Sequence, residues 1–536
     1  MPSARSLFAI LMLAMLPAAC APAPVDNAPA EQTLRYRMPE DPPSLDPFLT
    51  GDDNSSVYHY LIFDGLVEYV PGSLEVRPAV AESWTVSPDN LTYTFKLRKG
   101  VRFHNGREVV ADDVRYSILR ALSKKIHSEK SYFFASVKGA DDYWAGRTQD
   151  LPGVVAPDPR TVIITLSHPY EKFLTILAGE AGSILPKEVY DDPARAYVKH
   201  PVGCGPFRYD AYEPTVSLTL ARFADHWKGV APRGAITKII FRFIPDSSTA
   251  FQEYRTGGLD FTQEIPPQQR EKVLKEMPAD VHNSTRLSIL FVGFNHGAAP
   301  FRNNRLLRQA ILHAIDRDYI VRVLQEGKDV VASGIIPPGM LGHDPNRTAF
   351  AYDPNLASRL LAEAGYPDGK GLPELVYASN QTRGFSLVAD RIQSDLSRIG
   401  VKVRIKMSDF LAFLAAMQSG KADAAAGSLF RMTWYADWPD PDNFLATPFI
   451  TGGQGNYGLY TNPEFDQMME KARSEPDRAK REQLYREGER MLLEDAALVP
   501  IYWYGQDVLL KPEFTGMKLS QLGTFGIAWE EVVRRK

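Results

Sequence analysis

The sequence predicts an α/β protein with mixed sheets and flanking helices, divided into two or three domains. The chain has 536 residues, more than one hydrophobic core ordinarily spans. Residues 91–97 alternate apolar and polar side chains, which is typical of an antiparallel strand with one exposed face. Residues 375–407 instead follow a strand–helix–strand rhythm, which favours parallel pairing through a right-handed crossover. The two rhythms together indicate mixed sheets.

The first half of the chain alternates short strands and helices. Its first strand carries Leu34, Tyr36 and Met38 on one face. The further elements predicted here are a helix over 57–66, a strand over 91–97, a helix from residue 111, a strand over 161–166, a helix over 170–178, strands over 217–222 and 236–243, and a helix over 247–256.

The second half contains the longer helical patterns. We expect Gly400 to end a helix over 384–399, because glycine favours the position that follows the last helical turn. The other elements predicted are strands over 288–294, 375–378, 401–407 and 498–504, and helices over 304–325, 409–418, 463–474 and 477–493.

Composition excludes several classes of function. The net charge is −4, and no cluster of lysine and arginine interleaves with aromatic residues, so no nucleic acid partner is expected. The ten histidines show no ligand spacing, which argues against a zinc site, and no metal or other cofactor is expected. No Walker loop or Gly-x-Ser-x-Gly elbow is present. A pair of catalytic carboxylates, as in a secreted hydrolase, stays open as an alternative.

The N-terminal residues predict export from the cytoplasm. Arg5 precedes a short apolar run over 7–16 and small residues as far as Cys20, so residues 1–19 are predicted to be a signal peptide. The segment resembles a bacterial lipoprotein signal with Cys20 as the lipidated residue, while conventional cleavage nearby is an alternative. Residues 20–33 are rich in alanine and proline and are expected to be a flexible spacer.

The second cysteine, Cys204, is expected to be a small buried residue. It lies between Gly203 and Gly205, and no further cysteine is present apart from Cys20. A disulfide framework is therefore not predicted.

Residues 431–444 concentrate charged and aromatic side chains after an apolar segment, 424–430, that is predicted to be a buried strand. A ligand ammonium needs a carboxylate partner, for which Asp437 is the candidate, and a ligand carboxylate needs a guanidinium, for which Arg431 is the candidate. Trp434 and Tyr435 offer apolar surfaces for a ligand. The alternative is a surface turn with core tryptophans.

The order of the short motifs along residues 33–516 resembles that of the substrate-binding proteins of bacterial ABC importers, the family 5 class for dipeptides, oligopeptides and nickel. The motifs that carry the resemblance are Pro43-Ser-Leu-Asp-Pro47, Phe63-Asp-Gly-Leu66, Ala81-Glu-Ser-Trp-Thr-Val-Ser-Pro-Asp89, Ala111-Asp-Asp-Val114, Pro201-Val-Gly-Cys-Gly-Pro-Phe207, Arg308-Gln-Ala-Ile-Leu-His-Ala-Ile-Asp-Arg317, Ala436-Asp-Trp-Pro-Asp-Pro441 and Asn462-Pro-Glu-Phe-Asp466.

The resemblance implies a two-lobed periplasmic-binding-protein fold of class II type with an extra inserted domain. The divisions it implies are a first lobe over 34–71, 196–294 and 501–536, an inserted small domain over 72–195, and a second lobe over 295–500. The lobes of such a protein close around a ligand by a hinge motion.

The resemblance also implies ligand-binding residues. Asp437 stands where the family binds the free amine of a peptide, and Arg431 is expected to face the same cavity. Phe410 is expected to form a further wall of that cavity.

Three more ligand contacts are implied outside this stretch. Tyr132 resembles the ligand-contacting tyrosine of the inserted domain, and Tyr504 resembles a pocket aromatic residue, with Trp503 as the alternative. The loop over 51–54 is expected to pair with an extended ligand, and Asp53 in it is a candidate contact.

The implied function is the extracytoplasmic capture of short peptides and their delivery to an ABC permease, without catalysis. The protein is expected to act as a monomer in the periplasm or on the outer face of the cell membrane, anchored through Cys20. The alternatives are a nickel chelate, sugar, opine or haem ligand on the same fold.

Overall fold

The computed structural model describes residues 32–50, 52–128, 130–170, 172–191, 200–266, 268–418, 428–436, 438–453 and 455–535, the side chains of 53, 383 and 411 excepted. Within these ranges the protein is two-lobed and mixed α/β, built on one eleven-stranded sheet and one four-stranded sheet, with two short two-stranded pairs. The predicted fold class is confirmed.

The strands are β1 (Thr33–Met38), β2 (Val67–Tyr69), β3 (Val76–Pro78), β4 (Ala81–Val86), β5 (Thr92–Leu97), β6 (Val154–Asp158), β7 (Thr161–Thr165), β8 (Phe207–Glu213), β9 (Ser217–Arg222), β10 (Lys238–Phe243), β11 (Phe261–Thr262), β12 (Val281–Phe294), β13 (Val330–Val331), β14 (Leu375–Asn380), β15 (Val403–Ser408), β16 (Leu429–Tyr435), β17 (Leu498–Leu510), β18 (Phe514–Thr515) and β19 (Val533–Arg534).

The helices are α1 (Asp53–Ile62), α2 (Ala111–Leu122), α3 (Ala140–Trp144), α4 (Phe173–Leu177), α5 (Lys187–Tyr190), α6 (Ser247–Thr256), α7 (Arg270–Glu276), α8 (Arg305–Ala314), α9 (Arg317–Tyr319), α10 (Pro354–Glu363), α11 (Arg383–Ser397), α12 (Phe410–Gln418), α13 (Pro441–Phe449), α14 (Pro463–Ser474) and α15 (Arg478–Glu494).

The large sheet runs through both lobes in the order β15-β14-β16-β12-β17-β11-β1-β10-β9-β8, with β13 added to β17. One half contains β1, whose Leu34, Tyr36 and Met38 are fully buried, as their alternation predicts. The other half contains parallel β14 and β15, joined by α11. The four-stranded sheet β4-β5-β7-β6 is separate from this large sheet and lies within the range expected for an inserted domain.

The long strands β12 and β17 connect the two halves. They pair from Val281 to Thr285, and again from Ile289 to Gly293, with an irregularity between the two stretches. Trp503 pairs with Ile289 and Gly505 pairs with Thr285, so three residues of β12 lie opposite a single residue of β17. This bulge bends the sheet where one lobe meets the other.

The strand and helix predictions agree with the structure at most positions and fail at identifiable ones. Gly400 has φ +83° and follows α11, as predicted. The single helix expected over 304–325 is wrong, because the chain breaks after Ala314 and the side chain of Asp316 caps a new helical turn. Of the loop expected over 51–54, residues 53 and 54 belong instead to the first turn of α1, while its pairing with a ligand stays a prediction.

Cys204 is fully buried, and its thiol lies 3.8 Å from the carbonyl oxygen of Asp64. Burial raises the pKa of the Cys204 thiol well above its ordinary value. Both findings agree with the prediction of a small buried residue.

Gly505 allows the 327–329 segment to approach β17 closely. A Cβ atom built on Gly505 would lie 1.9 Å from the carbonyl oxygen of Lys328, which is backbone and has little freedom to move. We expect Gly505→Ala to lower the free energy of unfolding by about 2 kcal/mol, since overpacking costs about 1–3 kcal/mol. Urea unfolding followed by circular dichroism measures the change.

Gly384→Ala is the matched control. A Cβ atom on Gly384 would meet nothing within 4 Å, and the residue lies in the first turn of α11. The control should unfold at the same urea concentration as the wild type or slightly above it. Equal midpoints for Gly505→Ala and Gly384→Ala would contradict the close approach at Gly505.

Candidate functional site

A cleft with about 2000 Å³ of space, open to solvent, lies between the lobes at the sheet irregularity. Its walls come from both halves of the molecule and from the strands that connect them. Among the residues that line it are Arg37 and Asn54 from one half, Leu387 and Tyr435 from the other, and Tyr504 from β17.

Strand β16 presents one face to this cleft and the other to the core of the second half. Arg431, Thr433 and Tyr435 alternate with Met432 and Trp434, because successive side chains of a strand point to opposite faces. The sequence predicted that the strand would end before Arg431. The structure corrects this, since β16 continues to Tyr435 and its regular backbone therefore fixes all five side chains.

The guanidinium of Arg431 is buried without a carboxylate partner among the described residues. The side chain is 4% exposed, Nη1 donates to Oγ1 of Thr433 at 2.6 Å, and Nε has no hydrogen-bond partner in the described part of the chain. Burial lowers the pKa of Arg431 from its ordinary value. A buried, incompletely paired cation is costly, so an anion would be favoured here.

Two aromatic rings contact the Arg431 guanidinium. Its Cζ atom lies 4.1 Å from the ring centroid of Phe385 on α11 and 5.4 Å from that of Phe413 on α12. Both contacts are within cation–π range. Neither phenylalanine was predicted from the sequence, because both lie more than fifteen residues from Arg431 along the chain and each matches an ordinary apolar helix position.

Tyr435 and Tyr504 form an aromatic wall of the cleft. Their rings are stacked with centroids 5.8 Å apart, and the Tyr504 hydroxyl lies 2.9 Å from Oγ1 of Thr433. Burial raises the pKa of Tyr504, so this hydroxyl stays protonated at neutral pH. Thr433 therefore connects Arg431 to Tyr504 within one hydrogen-bonded group.

The two tryptophans named as candidates lie away from the cleft lining. Trp434 donates from Nε1 to Oδ1 of Asn443 at 2.9 Å, on the side of β16 opposite Arg431. Trp503 is 3% exposed and its ring contacts His343 at 5.2 Å between centroids. Because neighbours on a strand alternate, Tyr504 and not Trp503 faces the cleft.

Tyr132 and Phe410 are both solvent-exposed, at 54% and 57%. The Tyr132 ring lies 4.1 Å from that of Phe133, which lines a second cavity of about 670 Å³. Ala436 and Trp438 line the same cavity from the other half of the molecule. Phe133 and these two residues therefore lie around one cavity.

Three candidates are not described by the structure. Asp437 and Cys20 lie outside the described residues, and so does the side chain of Asp53.

Asp440 and Asp442 have structural roles. Asp440 caps α13, with its side chain accepting from the backbone N–H of Asp442 at 3.0 Å. Asp442 is buried and lies 2.7 Å from Nζ of Lys172 and 2.6 Å from Nε of Arg473. The Asp-Pro pair at 440–441 is a typical helix start, so sequence alone could have revealed the cap but not the ion pairs.

Metal-binding clusters and membrane-spanning helices are both absent from the described residues. Among them, no group of three or more histidine, cysteine, aspartate or glutamate side chains could bind a metal ion. Likewise, no described helix combines the length and apolar character needed to cross a membrane.

Comparison with known proteins gives matches over most of the chain. Residues 75–456 match the model of the bacterial extracellular solute-binding proteins, family 5, middle region. The chain is 28% identical to haem-binding protein A of Haemophilus influenzae, over 86% of this chain and 85% of that protein. It is 29% identical to the dipeptide-binding protein of Escherichia coli, over 87% of this chain and 88% of that protein.

A solved structure supports the same relationship. DppA of Helicobacter pylori, an ABC transporter-associated periplasmic binding protein in complex with the peptide STSA, superposes with a TM-score of 0.70. The two proteins are 29% identical, and the match covers 94% of this chain and 98% of that one.

The buried ion pair of Asp442 predicts a pH-dependent stability. Burial alone raises the pKa of this carboxyl, but Lys172 and Arg473 outweigh burial, so the pKa lies below its ordinary value. The stabilisation is therefore fully present above the ordinary carboxyl pKa and is lost as pH falls through the lower folded-state pKa. We expect Asp442→Asn to cost about 3 kcal/mol at pH 7.

Urea unfolding at pH 7 and at pH 3 tests this expectation. The difference between Asp442→Asn and the wild type should be smaller at pH 3 than at pH 7. Asp466→Asn is the control, because that carboxylate only accepts from the exposed backbone N–H of Thr451. A difference for Asp442→Asn that is the same at both pH values would show that the carboxylate charge contributes nothing.

Proposed function

The chain belongs to the bacterial extracellular solute-binding proteins of family 5, and we propose that it captures short peptides in the cleft between its lobes. On closure around a peptide, the protein delivers it to an ABC permease in the membrane. The protein acts as a monomer and catalyses no reaction. It resides in the periplasm or on the outer face of the cell membrane, where Cys20 is the attachment point.

The observation that carries the peptide proposal is the buried guanidinium of Arg431. A peptide's terminal carboxylate supplies the anion that this cation lacks among the described residues, and the planar guanidinium matches a carboxylate with two parallel hydrogen bonds. Thr433 accepts from Nη1 only, so the edge that contains Nε donates to the ligand carboxylate. Tyr435 and Tyr504 cover the adjacent part of the peptide backbone.

Asp437 binds the peptide's ammonium at the other end of the ligand. Its neighbours Ala436 and Trp438 line the second cavity, next to Phe133. A carboxylate and a guanidinium six positions apart in the sequence thus provide opposite charges for the two ends of a zwitterion. The remaining contacts proposed from the sequence are Tyr132, Phe410 and Asp53.

Closure occurs by rotation of the lobes about the irregular pairing between β12 and β17. We assign residues 34–71, 196–294 and 501–536 to the first lobe, 295–500 to the second, and 72–195 to the inserted domain. One buried cluster joins β1 to the inserted sheet, and two others combine residues of the second lobe with parts of β12 and β17. A ligand that contacts both lobes shifts the equilibrium towards the closed form.

Haem is the principal competing ligand, because one relative is named as a haem-binding protein. Haem also carries carboxylates that Arg431 would attract. The discriminating chemical group is the ammonium, which peptides have and haem lacks.

The proposal is tested by the ligand that accompanies the purified protein. Denaturation of protein purified from its source, followed by mass spectrometry of the released small molecules, should yield peptides of a few residues with free termini. Release of haem, a sugar or a nickel chelate instead would contradict the proposal. Protein that has been unfolded, dialysed and refolded serves as the control and should release none.

Paired substitutions at Asp437 and Arg431 test the two charged contacts. The wild type should bind the released peptide more tightly than its N-acetylated or C-amidated form. Asp437→Asn should weaken binding of the free peptide at least about tenfold, since breaking a buried charge pair costs about 2–5 kcal/mol. Arg431→Met should weaken it to a similar extent. Isothermal titration calorimetry measures the affinities.

Each variant is a control for the other. Asp437→Asn should bind the free peptide no more tightly than the N-acetylated form, but still more tightly than the C-terminal amide. Arg431→Met should bind the free peptide no more tightly than the amide, but still more tightly than the N-acetylated form. If both variants lose both preferences equally, the substitutions have disturbed the cleft as a whole, and the assignment of separate ends is wrong.

A further inference from the structure

We infer that Phe385 is a specificity-determining positioning residue, whose ring orients the Arg431 guanidinium for a ligand carboxylate. The inference rests on the proposed function and deepens it by naming what sets the preference for a free carboxylate. Phe385 would act through Arg431 and would not itself contact the carboxylate.

Phe385 lies beside the cleft and in contact with the buried cation. It lies in the first turn of α11, and Gly384 and Leu387 on either side of it line the cleft. Its ring centroid is 4.1 Å from Cζ of Arg431. The ring therefore packs against the guanidinium next to residues that line the cleft.

The guanidinium makes its hydrogen bonds and its aromatic contacts in different directions. Its N–H groups point outwards in the guanidinium plane, whereas an aromatic ring interacts with the cation across that plane. Phe385 and Phe413 therefore stabilise the charge without using its donors. Of these donors, Nη1 bonds Thr433, and Nε, which shares the opposite edge with Nη2, has no partner among the described residues.

An Arg431 side chain that is already fixed before binding raises the affinity for a ligand carboxylate. An arginine side chain has several rotatable bonds, and fixing them at the moment of binding would weaken the affinity. Contact with Phe385 and Thr433 limits the guanidinium to one orientation beforehand. This fixed orientation raises the affinity only for ligands that bond the guanidinium. Loss of the Phe385 ring should therefore weaken the binding of a free acid more than the binding of its amide.

The test compares two forms of one peptide pool. Tripeptides Ala-Xaa-Ala are synthesised as free acids and as C-terminal amides, and a thermal-shift screen selects the best-binding sequence for calorimetry. The ratio of amide Kd to acid Kd is measured for the wild type, Phe385→Leu, Phe385→Tyr and Arg431→Met. Leucine keeps apolar volume but removes the aromatic ring, whereas tyrosine keeps the ring.

We expect Phe385→Leu to lower the ratio about tenfold through weaker acid binding, with amide binding unchanged within about twofold. Phe385→Tyr should have the same ratio as the wild type, because tyrosine keeps the aromatic ring. Tyr319→Leu is the matched control, because Tyr319 lies 3.8 Å from the guanidinium carbon of Arg391, which is also on α11. Its loss should leave the ratio unchanged.

The outcomes separate this inference from the proposed function. A Phe385→Leu ratio equal to that of the wild type, or equal weakening of acid and amide, overturns the inference while a low ratio for Arg431→Met still supports Arg431. An unchanged ratio for Arg431→Met overturns both. If no tripeptide stabilises the wild type, the peptide proposal fails and the role of Phe385 fails with it.

Discussion

The pairing of β12 with β17 is the constraint on which the arrangement of the two lobes depends. Both strands take part in both halves of the large sheet, and their ladder is interrupted between Thr285 and Ile289. Next to this point, the carboxylate of Asp329 accepts from the backbone N–H of Gly505 at 2.8 Å. Rotation between the lobes disturbs the fewest ladder hydrogen bonds if it occurs where the ladder is already interrupted. The cleft opens at the same place, so the proposed ligand contacts and the proposed hinge are adjacent.

Buried charges elsewhere in the protein show why Arg431 stands out as a candidate binding residue. Arg120 and Asp46 are both buried and form an ion pair at 2.6 Å, and Glu489 accepts from two backbone N–H groups beside Arg347. Each of these charges is compensated inside the protein, as burial requires. Arg431 has a hydroxyl partner and two aromatic contacts instead, and these compensate its burial only in part.

Local patterns predicted much of the fold, and long-range contacts account for what they missed. Alternation in β1 and the Gly400 stop depend on neighbouring residues, so the sequence shows them directly. The break after Ala314 depends on Asp316, whose backbone N–H donates a hydrogen bond to the carboxylate of Asp395 on α11. Periodicity cannot reveal such a contact, because the hydrophobic pattern continues across the break. Likewise Arg431 was identifiable from its motif, whereas Phe385 matched an ordinary apolar helix position.

The choice of aromatic neighbours for Arg431 has a physical reason. A carboxylate from the protein would satisfy the guanidinium permanently and would compete with any ligand carboxylate for the same donors. Phenylalanine rings lower the cost of burying the charge and leave the in-plane N–H groups available. The hydroxyl of Thr433 bonds Nη1 and thereby fixes which edge stays available. A buried cation with aromatic faces, and with an Nε that has no partner among the described residues, is therefore suited to bind an anion in a way that a fully paired arginine is not.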